Sequence, residues 1–146
     1  MAGSSVRYSV GGSVYYLHLG ELILFPGEMY HSCKFNITAD TSERLVVQIA
    51  PGIWDRAWQQ SGLPRRAWNR DPTILDANAV LHWDFRGLLE RMAQTVSLDE
   101  RIRPIVQCCE VTELILLASH VITRRNAAPP PSATSLLIAT VSPGSV

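Results

Sequence analysis

With 146 residues, 47% of them apolar and 18% charged, the chain has the size and composition of one globular domain, or of a small barrel with an appendage. Its 13 basic and 13 acidic side chains cancel, which excludes the general electrostatic footprint of a nucleic-acid-binding surface. Cys33, Cys108 and Cys109 match no zinc-ligand spacing and read as reduced, buried thiols of a soluble cytoplasmic protein. No hydrophobic signal core follows Met1, and the apolar run Leu114–Ala118 is too short to span a bilayer.

Val6–Val10 and Ser13–Leu19 are short β-prone runs on either side of Gly11-Gly12, a pattern that predicts a hairpin with positive φ at the turn. Period two puts Tyr15, Leu17 and Leu19 on one face and Val14, Tyr16 and His18 on the other, without fixing which face is interior. Gly20 suits an open turn before the apolar strand Leu22–Phe25. Pro26-Gly27 ends that strand, because proline donates nothing to a ladder. Met29–Ile37 and Arg44–Ala50 are expected to be further strands, giving antiparallel neighbours of jelly-roll type.

After Pro51-Gly52 the period changes. Ile53–Gln60 fits an amphipathic helix with Trp54, Ala57 and Trp58 on one stripe, broken by Ser61-Gly62-Leu63-Pro64. Arg65–Asp76 reads as a surface loop and Ala79–Trp83 as a short strand. Asp84 is a candidate N-cap for a helix carrying Phe85, Leu88, Leu89 and Met92. A long helix is expected from Asp99 or Glu100, with Pro104 in its first turn and Arg124-Arg125 at its negative end. Its second half is apolar over most of its circumference, so one face should meet the protein and another a second subunit. Pro129-Pro130-Pro131 stops it.

The fold class expected is α+β: a partial cupin or jelly-roll β-barrel over 1–50, a helical hairpin extension with one short strand over 51–126, and a proline-rich linker or tail over 127–146. The spacing Gly20-x5-Pro26-x4-His31 is close to the second cupin signature, departing from it in the position of Gly27 and in Asn36, which lies one residue late. The order of elements, with ELILFPGEMYHS, the strand after Arg44, DFRGLLERM and the long apolar helix, resembles the sensory domain of the AraC/XylS family of bacterial transcription regulators over roughly residues 6–140. That resemblance implies a barrel that binds a small effector and helices that dimerise. It also implies an upstream His-x-His strand and a downstream helix-turn-helix domain. Neither is present in these residues, so the chain is expected to be a fragment of such a regulator or the product of a disrupted reading frame, with DNA a partner only through a domain absent from it.

His31 carries the sharpest chemical reading. In metal cupins the matching histidine is one of three or four ligands, and a single imidazole does not hold a metal. Effector contact is the better reading, with Tyr16, Glu28 and Trp54 as further ligand-binding candidates. Val106, Glu113, Leu117 and Val121 are the candidate dimerisation residues. No catalytic residue, metal site or cofactor is expected, because no serine or cysteine has a nucleophile's setting. The alternative is a small metal-dependent cupin enzyme of dioxygenase or isomerase type.

Overall fold

A computed structural model describes residues 5–10, 12–25, 31–36, 45–65 and 71–126. Strands β1 (Ser5–Val10) and β2 (Ser13–His18) form the expected hairpin, in register from Ser5 opposite His18 to Val10 opposite Ser13. Gly12 takes φ +84° at the turn, a conformation that costs glycine nothing. Strand β4 (His31–Asn36) pairs antiparallel on the other side of β1, so β1 is the central strand of a three-stranded sheet. Tyr8 and Val10 of β1 are buried, Tyr15 and Leu17 of β2 are half-buried, and Val14, Tyr16 and His18 face outward. The interior face left open by the alternation is therefore that of Tyr15 and Leu17.

Gly20, also at φ +84°, turns the chain into β3 (Leu22–Leu24). The turn is fastened by Glu21, whose amide donates to the His18 carbonyl at 3.1 Å while its Oε1 accepts from the His18 amide at 2.7 Å. A Cβ on Gly20 would stand 3.0 Å from that of Ala77, so this turn is pressed onto the helical part of the chain. β3 pairs antiparallel with β5 (Thr73–Leu75), making a second, two-stranded sheet. The Tyr8 and Phe25 rings meet at 5.0 Å between centroids and tie the first sheet to the end of β3.

The helices are α1 (Pro51–Ser61), α2 (Ala77–His82), α3 (Phe85–Thr95) and α4 (Arg103–Asn126). Pro51 occupies the first turn of α1, where its missing N–H costs little, and Gly62 ends the helix at φ +71°. Ala57 and Trp58 face inward with Trp54 beside them, as the stripe predicted. Asp76 caps α2 by accepting from the Ala79 amide at 2.9 Å. Asp84 caps α3 from the left-handed region (φ 52°, ψ 48°), accepting from the Gly87 amide at 3.2 Å. A Cβ on Gly87 would collide with that carboxylate, which would have to shift from its capping position.

At 1.5 Å per residue α4 is about 36 Å long, and α1 and α3 pack against it. Thr95 meets Glu110 and Arg91 meets Glu113, a contact order that makes α3 and α4 an antiparallel hairpin. Trp58, Leu75, Phe85, Leu88, Val111, Leu114, Ile115 and Ala118 form the centre of the core. The architecture is mixed α+β, with two small antiparallel sheets and helices.

Three local expectations are corrected. Residues 45–50 belong to no described strand or sheet; Val47 and Ile49 turn toward the core, while Leu45 and Val46 stay exposed. Alternating burial, without a ladder, is what their sequence encoded. Ala79–Trp83 is not a strand: the Asp76 cap starts a helix at Ala77 that the single β-branched Val80 does not oppose. The stretch read as loop after Arg65 contains β5, whose pairing to β3 is non-local. In addition, Asp99–Ile102 form turns and the long helix begins at Arg103, whose guanidinium donates to the Leu98 carbonyl at 2.9 and 3.2 Å. The polyproline stretch and tail, like the Pro26-Gly27 corner, lie outside the described residues.

Candidate functional site

The residues singled out from sequence do not converge. Tyr16 stands on the outward face of β2, about half exposed, in the row of Arg7 and Lys34. His31 begins β4 opposite Val10, three rows away along the sheet, and its side chain is not among the described ones. Glu28 lies outside the described residues. Trp54 is half-buried on α1, edge-on to Trp58 at 6.2 Å, and serves the helical core. Nothing described brings Tyr16 and Trp54 to a common site.

A concave site lies elsewhere, where segment 46–50 meets the helices. Val46, Val47, Ile49 and Ile53 form one wall, and Met92, Ala93 and Val96 of the end of α3 with Gln107, Glu110 and Val111 of α4 form the other. The groove has a volume of about 520 Å³, within the range of small-molecule sites. The lining is apolar apart from Gln48, Gln107 and one ionisable side chain, Glu110.

Glu110 is 9% exposed, unusual for a carboxyl group. Its Oε1 and Oε2 lie 2.8 and 2.9 Å from the Thr95 hydroxyl, itself buried and 2.8 Å from the Arg91 carbonyl. Three acceptors thus surround one hydroxyl, which carries a single proton. Among the described residues no Lys, Arg or His forms a salt bridge with Glu110, although Arg91 approaches its neighbour Glu113 at 3.5 Å. Sequence reasoning missed this site. Its available signal was Glu110 standing one helical turn before Leu114, on the apolar side of α4.

No family model matches the chain, and no curated protein or solved structure was found to be similar to it.

The candidate dimerisation residues sit on the flank of α4. Leu117 and Val121 are half-buried and pack against the core that Val111, Leu114 and Ala118 belong to. The outermost apolar side chains are Ile105 (63% exposed) and Leu116 (44%), with Ile102 just before the helix. At about 100° per residue these share a narrow stripe with Cys109 and His120, offset from that of Val106, Glu113, Leu117 and Val121. His120 lies edge-on to Trp83 at 5.2 Å, and His82 meets the same indole at 4.9 Å. Among the described residues, no group of three or more His, Cys, Asp or Glu side chains is placed to hold a metal ion.

The 23 residues Arg103–Arg125 are long and apolar enough to cross a membrane by length and composition, which the short run Leu114–Ala118 did not suggest. That apolarity has a use within the protein: Val111, Leu114, Ile115, Ala118 and Ile122 are core.

Proposed function

We propose that this chain is a cytoplasmic effector-sensing and dimerisation module of an AraC-type transcription regulator, with DNA contact left to a helix-turn-helix domain outside these residues. In this reading the N-terminal strands belong to a cupin barrel, the chain is not an enzyme, and two copies associate through the α4 helices. The supporting observation is that one helix both borders the groove and exposes apolar side chains. α4 lines the groove with Gln107, Glu110 and Val111, and on its outer side carries Ile105 and Leu116 into solvent. A ligand that shifts α4 by a fraction of its diameter therefore acts directly on the surface a second copy would meet.

The test is oligomeric state. Ile105→Glu combined with Leu116→Glu changes exposed positions and leaves the core intact, unlike changes at Leu117 or Val121. Light scattering should give dimers for the parent and monomers for the double variant. A monomeric parent, or a variant that stays dimeric, removes α4 as the dimer helix.

A further inference from the structure

We propose that the groove between segment 46–50 and helices α3 and α4 takes an apolar molecule bearing a primary ammonium group, which docks on Glu110. The inference rests on reading the groove as the effector site and adds the chemical class of its ligand. Glu110 is the only ionisable side chain in the lining, and its one hydrogen-bonding partner among the described residues is Thr95. The hydroxyl proton of Thr95 can be given to only one of three acceptors: the Arg91 carbonyl and the two Glu110 oxygens. The site is therefore short of donors and has acceptors to spare.

Buried acceptors left without donors are costly, and a bound group that supplies donors recovers that cost on association. An ammonium brings three donors and no acceptor, together with the charge that complements a carboxylate. An alcohol supplies one donor and adds an acceptor. A carboxylate ligand would set like charges together, which weakens binding. The walls select the remainder of the molecule: Val46, Ile49, Met92, Val96 and Val111 offer an aliphatic lining with no further charge.

The experiment is isothermal titration of the full chain with three probes of one chain length, below their micellar concentrations: n-octylammonium, 1-octanol and octanoate. Octylammonium is expected to bind about ten-fold or more tighter than octanol, the factor that corresponds to a single charge-assisted contact, with octanoate weakest. Glu110→Gln should bring the amine-to-alcohol ratio close to one while leaving octanol affinity within about two-fold, because the groove's shape is kept. Ala93→Trp, which fills the groove, should abolish both. Equal affinity of the parent for octanol and octylammonium overturns the amine assignment and leaves the groove as a site. No binding of any probe overturns the groove reading itself. Amine binding that survives Glu110→Gln or Ala93→Trp lies elsewhere and sinks the proposal.

Discussion

Replacing Thr95 by valine tests the Glu110 arrangement without touching the groove's walls. The change is nearly volume-conserving, so it opens no cavity, but it removes the one described donor to a carboxyl group that is 9% exposed. A hydrogen bond to a charged group is worth about 1.5–3 kcal/mol. The new methyl returns up to about 0.8 kcal/mol through apolar burial at a site that is 5% exposed. Water entering the groove softens the loss further, so the net destabilisation should be about 1–2 kcal/mol. For a chain of this length that is roughly 3–8 °C in Tm, read by calorimetry or by urea denaturation with an unchanged m-value. Adding Glu110→Leu should restore much of the lost stability, since removing both partners of a buried polar pair is far less costly than removing one. A Thr95→Val protein within about 0.5 kcal/mol of the parent, or a double variant less stable than the single, would refute the reasoning.

Two further predictions concern the fold. Phe85, fully buried at the start of α3, should cost about 3–5 kcal/mol when truncated to alanine, measured by denaturant unfolding; a loss below about 1 kcal/mol would mean that the site collapses freely or is not core. Asp84→Asn should be nearly neutral, because asparagine both caps and tolerates the left-handed region. Asp84→Ala should lose about 1–2 kcal/mol through the missing cap, and equal stability of the two variants would dismiss the cap.

Local chemistry was legible wherever a single residue decides the backbone. Gly12 at the hairpin, Gly62 after α1 and Asp84 before α3 all stand where turn and cap rules put them. What failed was period two without a partner: residues 45–50 alternate because Val47 and Ile49 reach the helices, and no neighbouring described strand is needed for that. β5 is three residues long and exists through pairing with β3, about fifty positions earlier, so no window around it could announce it. The groove was hidden for the same reason. Thr95 and Glu110 lie on different helices, and only the packing of the α3–α4 hairpin makes one polar pair of them. In α4 the apolar circumference was recognisable, but how far the core extends around it was not: Cys108, Val111 and Leu114 are buried, while Val106, Leu117 and Val121 are half-buried.

The main core draws on α1, β5, α3 and α4, whereas Tyr8 and Val10 of the three-stranded sheet are buried apart from it. Unfolding therefore need not be a single event. Amide hydrogens in the middle of α4 should exchange only when the whole helical core opens, and those of β1 and β2 on a separate clock set by the opening of their own sheet. A protein built this way can lose and regain its hairpin sheet while its helices stay folded.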